Sequence, residues 1–170
     1  MLKLGIIGTH IITDQMLDAA KTTGKYQLTA VYSRTLDRAK EFGKPYGATE
    51  FYDDLEKFFE DGDFDVVYIA SPNSLHYQQA RLAIENDKFV IVEKPAFVNP
   101  SEFSGIQSLL AAHPKTRLVE AARHIHTPLY KEGLKKVDEM KEHYVQGATI
   151  TVMKYSSRSV SYTHLTLPTT

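Results

Sequence analysis

The chain is 170 residues long, enough for one domain and the opening of a second. Its composition, 42% hydrophobic and 24% charged, is that of a globular protein, and 20 basic residues against 21 acidic ones leave a formal net charge of −1. This balance argues against a basic field for nucleic acid or an anionic membrane surface, and with no cysteine there is neither a disulfide framework nor a thiolate metal site.

In chain order, short apolar runs alternate with longer amphipathic ones. The opening MLKLGIIGTHIITD is broken by Lys3, His10 and Asp14, which is unlike a secretory signal, and no run approaches a membrane span. A cytoplasmic protein is expected. Leu2–Gly8 reads as a strand stopping at glycine, followed by a helix to Gly24. Gln27–Ser33 is β-rich, and TLDRAKEFG reads as a helix with Gly43 at its C-terminal end. ATEFY is a short strand, and DDLEKFFED opens on an aspartate suited to N-capping. Val66–Ser71 is almost continuously apolar, as in a strand covered on both faces. SLHYQQARLAIEN reads as a helix and KFVIVE as another buried strand. Asn99-Pro100-Ser101-Glu102 is a helix start, with Asn99 as cap and Glu102 reaching back. TRLVEA supplies a sixth strand. Strict β-α alternation predicts a doubly wound parallel sheet with helices on both faces. Beyond Pro128, the charge-laced helix LYKEGLKKVDEMKEHY and the strand GATITVMKYS read as the opening of a second, α+β domain.

The last eleven residues, Val160–Thr170, carry no Asp, Glu, Lys or Arg and four threonines. One reading is a β-prone tail. The favoured one is a non-native tail, because GTCTCTTATACACATCTGACGCTGCCGACGA, which resembles a transposon-type sequencing adapter, encodes it. Native sequence is then expected to end near Ser159, with domains at 1–122 and 123–159.

The chemistry-bearing residues gather where strands give way to helices. A helix start offers free N–H groups and partial positive charge to a pyrophosphate, and the usual fingerprint there is G-x-G-x-x-G/A. Here the stretch is Gly8-Thr9-His10-Ile11-Ile12-Thr13, so only the first glycine is present. His10 stands at the second and either narrows the gap to the phosphates or contacts them. At the end of the second strand an NAD enzyme usually carries Asp or Glu for the ribose 2′-hydroxyl. This chain has Ser33-Arg34, with Arg38 a turn further on, a set that suits a 2′-phosphate. NADP is therefore the expected cofactor, with NAD as the alternative.

Two further motifs are more specific. Ser71-Pro72-Asn73-Ser74-Leu75-His76 after VVYIA, and Glu93-Lys94-Pro95 after FVIV, resemble the two signatures of the Gfo/Idh/MocA oxidoreductases, with GIIGT and EAARHIHTP also fitting. The likeness spans roughly Leu2 to Ser159. It implies a Rossmann domain followed by an incomplete substrate domain, and hydride transfer between a nicotinamide and a sugar, polyol or related cyclic alcohol. It implies that Asn73 and His76 lie near the cofactor, and that Glu93 and Lys94 sit beside the nicotinamide ribose. Lys94 would point at the reacting hydroxyl as the catalytic residue, and Pro95 would bend the chain away from the strand. Gly8, Thr9, His10, Ile12, Ser33, Arg34, Arg38, Ser71 and Pro72 complete the expected cofactor set.

The family's second domain supplies a Gly-rich helix start with an aspartate and a histidine, and no such segment follows MKYSSRS. The 170-residue chain is therefore expected to be inactive alone, and a longer form to bind a small-molecule substrate as a homo-oligomer. The rival reading is a non-catalytic nucleotide-binding or redox-sensing module. His124-Ile125-His126 lacks a third convergent ligand apart from Glu120, so no metal is expected. Glu120 and Arg123 read instead as lining the cleft.

Overall fold

The computed structural model describes residues 1–140. The expected strand GATITVMKYS and the tail from Val160 lie outside the described residues. The chain divides into two units, Met1–His124 and Ile125–Thr170.

The first unit is built on six parallel strands: β1 (Leu2–Ile7), β2 (Tyr26–Tyr32), β3 (Glu50–Tyr52), β4 (Val66–Ile69), β5 (Phe89–Val92) and β6 (Leu118–Glu120). Their spatial order is β3-β2-β1-β4-β5-β6, the doubly wound arrangement expected from the β-α alternation. The order reverses between β1 and β4, which are in register from Leu4 opposite Val66 to Ile7 opposite Ile69. That reversal opens a crevice at the carboxyl ends of these strands.

Helices α1 (Ile11–Thr23), α2 (Leu36–Gly43), α3 (Leu55–Asp61), α4 (His76–Glu85) and α5 (Pro100–Ala112) connect them. Alternation along the central strands divides the core between the two faces. Leu4, Ile6, Val66 and Tyr68 pack with Leu17 of α1 and with Ala39 and Phe42 of α2. Ile7, Val67, Ile69, Val90 and Val92 pack with Phe58 and Phe59 of α3, Ala80, Ala83 and Ile84 of α4, and Ile106 of α5. Sealing on both faces is why these strands read as unbroken apolar runs.

The helix starts follow the sequence closely. Asp54 caps α3 by accepting from the Lys57 N–H at 3.0 Å. Asn99 caps α5 by accepting from the Glu102 N–H at 3.0 Å, while the Glu102 carboxylate accepts from the Val98 N–H at 2.9 Å. These reciprocal bonds satisfy donors that a helix end otherwise leaves free. Gly43 is the last residue of α2, as its position in the sequence predicts. It is helical, with φ −82°, and does not turn the chain; a Cβ there would lie 2.5 Å from Val31 Cγ2, so glycine lets α2 close onto β2. The left-handed turn comes later, at Gly47, with φ 84°.

Of the second unit, α6 (Pro128–Glu139) is described. It is exposed throughout and carries the i,i+4 pair Glu132–Lys136 at 3.1 Å, as its charge pattern predicts.

Candidate cofactor site

The crevice at the switch between β1 and β4 holds a cleft of about 600 Å³. It is walled by Gly8, Thr9 and His10 after β1, by Ser33, Arg34, Thr35 and Arg38 after β2, and by Ser71, Pro72, Leu75 and Gln79 after β4. Eight of the residues expected at a cofactor thus come together: Gly8, Thr9, His10, Ser33, Arg34, Arg38, Ser71 and Pro72.

Gly8 has φ +104°, and a Cβ there would stand 2.4 Å from the Ala70 carbonyl oxygen. Both facts require glycine, because the turn passes directly over the end of β4. His10, where the fingerprint has its second glycine, is extended at φ −119° and exposed, so the backbone there admits a side chain. Thr13, in place of the third, is fully buried, and its hydroxyl donates to the Gly8 carbonyl at 3.0 Å. The N-terminus of α1, with its unsatisfied N–H groups, opens behind this turn. Gly8 leaves room for a ligand's backbone approach, α1 offers donors to a diphosphate, and Arg34 offers charge to a phosphate at the rim. These residues fit a dinucleotide.

The two arginines differ. Arg38 Nε donates to Thr9 Oγ1 at 3.1 Å, Nη2 to the Thr9 carbonyl at 2.8 Å and Nη1 to the Glu41 carboxylate at 2.9 Å. Arg34 is exposed and bonds to no side chain or backbone group among the described residues.

Five other candidates lie off the cleft wall. Ile12 is half-buried and turns into the core beside α1. Asn73 opens a 3-10 turn, Asn73–Leu75, and is exposed. His76 is fully buried rather than facing the cleft: Nε2 lies 3.0 Å from the Ser71 carbonyl oxygen and Nδ1 2.9 Å from that of Pro95. Its ring thereby ties the loop after β4 to the loop after β5. Glu93 is buried, accepting from the Tyr68 hydroxyl at 2.8 Å and from the Lys94 N–H at 3.2 Å. Burial and then the Glu93 carboxylate push the Tyr68 phenol well above the usual tyrosine value. Lys94 is exposed at the sheet edge, with a cis peptide bond to Pro95.

Glu120 and Arg123, expected to line a cleft where the substrate domain begins, are not on the wall of this one and make hydrogen bonds within the first unit. The Glu120 carboxylate accepts from the Ala96 N–H at 3.1 Å, and Arg123 donates to Gln15 of α1 at 2.9 Å. Among the described residues no group of His, Asp and Glu converges as a metal site, and no helix is long and apolar enough to cross a membrane.

Gln79 was not foreseen. It is almost fully buried on α4, and its carbonyl accepts from the Ser71 hydroxyl at 2.6 Å on the cleft floor. The available signal was its spacing: residues 76, 79, 80, 83 and 84 form one buried helical stripe, and two of them are polar.

Known proteins share this arrangement. Residues 2–121 match the family model of the Gfo/Idh/MocA proteins, described as an oxidoreductase family with an NAD-binding Rossmann fold. The scyllo-inositol 2-dehydrogenase (NADP(+)) IolU of Bacillus subtilis (strain 168) is 39% identical over 158 residues, which is 93% of this chain and 47% of that protein. The oxidoreductase YgjR of Escherichia coli (strain K12) is 35% identical over 167 residues, 95% of this chain and 48% of that one. The chain thus spans about half the length of these relatives. Among solved structures, KijD10, a 3-ketoreductase from Actinomadura kijaniata in complex with TDP-benzene and NADP, superposes with a TM-score of 0.75 and 26% identity, covering 82% of this chain and 44% of that one. Scyllo-inositol dehydrogenase from Lactobacillus casei, with NAD(H) and scyllo-inositol bound, shares the fold, with a TM-score of 0.73 at 24% identity over 83% of this chain and 42% of that one. The chain belongs to the Gfo/Idh/MocA oxidoreductase family, whose N-terminal part is an NAD-binding Rossmann fold.

Proposed function

We propose that this chain is the cofactor-binding part of an NAD(P)-dependent oxidoreductase that moves a hydride between a nicotinamide and a sugar, polyol or related cyclic alcohol. NADP is the preferred cofactor. The observation that carries the reading is the cleft at the β1–β4 switch, with the Gly8 turn on one side and a free arginine where an NAD enzyme would hold an acid. The NADP-linked name of the 39% identical relative supports the same choice and makes scyllo-inositol the first substrate to try.

A nicotinamide bound here would supply the hydride acceptor or donor. Gly8, Thr9, His10 and the start of α1 hold the diphosphate, and Ser33 and Arg34 the ribose phosphate. Ser71 and Pro72 form the opposite wall. Lys94 Nζ takes the hydroxyl proton when an alcohol is oxidised and returns it when a ketone is reduced. Glu93, fixed by Tyr68 on one oxygen and by the Lys94 N–H on the other, holds the backbone from which Lys94 projects. In this reading 1–122 is the cofactor domain, 123–159 opens a substrate domain, and 160–170 is non-native. The full-length enzyme is a cytoplasmic homo-oligomer.

The test measures NADP and NAD binding, and turnover of scyllo-inositol and other polyols, in the full-length protein. Lys94→Ala should lower kcat by about a hundredfold or more while NADP affinity changes little. Undiminished kcat would remove Lys94 from the reaction. Cofactor binding without turnover of any polyol would favour the non-catalytic module.

A further inference from the structure

We infer that Arg38 is a positioning residue that latches the diphosphate-facing turn, leaving Arg34 as the arginine that reads a 2′-phosphate. The inference rests on the cofactor reading above.

Arg38 sits in the first turn of α2, and its guanidinium crosses to the neighbouring turn after β1. Two of its nitrogens grip one residue, Thr9, by side chain and main chain together. The third is held by Glu41, and the Phe42 ring lies beneath the group at 5.9 Å. Its positive charge is thus already matched by a carboxylate and committed to a fixed direction.

The turn is held at two successive carbonyls, Gly8 by the Thr13 hydroxyl and Thr9 by Arg38. In a planar trans peptide the C=O and the N–H point opposite ways. Fixing these two carbonyl oxygens therefore fixes the N–H groups of Thr9 and His10, the backbone donors of a glycine-turn anion site. Arg38 accordingly orders donors for a diphosphate shared by NAD and NADP, whereas Arg34 keeps its whole guanidinium for the group that distinguishes them.

Four probes separate the roles in the full-length protein: ADP, adenosine 2′-monophosphate, NAD and NADP. Arg38→Gln should weaken ADP, NAD and NADP together by about tenfold and leave adenosine 2′-monophosphate within about twofold, the size expected of one charge-assisted bond. Retained binding of that probe also reports an intact fold. Arg34→Gln should do the converse, weakening adenosine 2′-monophosphate and NADP alone. Arg38→Lys, able to reach the Thr9 carbonyl with one donor, should recover part of the ADP affinity. A loss in Arg38→Gln confined to NADP and adenosine 2′-monophosphate, or no loss at all, overturns the latch while leaving the cofactor reading intact. If Arg38→Gln does not fold, Arg38→Lys decides by the same two patterns. Wild-type protein that binds none of the four overturns the cofactor reading and the latch with it.

Discussion

Arg34 stands exposed at the cleft with its donors uncommitted, so a single substitution should invert cofactor choice. In Arg34→Asp a carboxylate repels a 2′-phosphate yet accepts from a 2′-hydroxyl. NADP affinity should fall by about 10- to 100-fold, the worth of a charge-assisted phosphate contact, while NAD is held or gains. Titration of both cofactors into wild type and variant checks this; NAD bound more tightly by the wild type would refute the role of Arg34. Residue by residue, the sequence was informative where a feature is local. Gly8 was recognisable because it ends an apolar strand, and Ser71-Pro72 because it forms a motif at the end of another, and both line the cleft. Arg38 was picked out as a cofactor residue, but its bonds to Thr9 were not, because they reach 29 positions away and nothing in the spacing announces a main-chain partner. His76 was assigned to the cofactor, although the stripe it shares with Ala80, Ala83 and Ile84 points inward.

At the scale of elements, α1 is tied to the 3-10 turn after α2 (Lys44–Tyr46) by the Tyr46 hydroxyl, which donates to Asp14 at 2.8 Å. That bond to a carboxylate, and then burial, raise the Tyr46 phenol from its ordinary value to about 12. A raised value favours the neutral hydroxyl in the folded state. The bond therefore stabilises fully below the unfolded value of about 10, and its contribution is lost as pH rises toward the folded one. Wild type should exceed Tyr46→Phe in stability by about 0.5 kcal/mol near neutrality, a figure kept small because the group is part-exposed. The difference should shrink in urea melts between pH 10 and pH 12. A constant difference across that range would show that the bond does not form. The elements themselves were readable because caps and periodicity act within a few residues, as at Asp54 and Asn99. The end of α2 at Gly43 was readable too, but not the reason for glycine there, which is the close approach of Val31 on a neighbouring strand.

At the scale of the whole molecule, the cleft is walled, among the described residues, by the first unit, and Lys94 is exposed at the end of β5. Orienting a hydroxyl against a hydride path takes groups on more than one side, and open water weakens the charges that do so. The 170-residue chain by itself should therefore bind nucleotide weakly at best and turn over no polyol. Side-by-side assay against the full-length protein decides, and comparable turnover by both would refute it. Val98, Phe103 and Val119, each 54% exposed, should also make the short chain the more prone to self-association.

The sheet order also sets a timetable for synthesis. β1 is made first, yet it occupies the middle of the sheet, between β2 and β4. Its second edge has no partner until Val66–Ile69 has left the ribosome. At roughly 5–20 residues per second, some 60 residues of translation take about 3–12 s. Until then Leu4 and Ile6 lie on a strand with at least one unpaired edge, so the longest wait for a partner falls on the strand at the centre of the sheet.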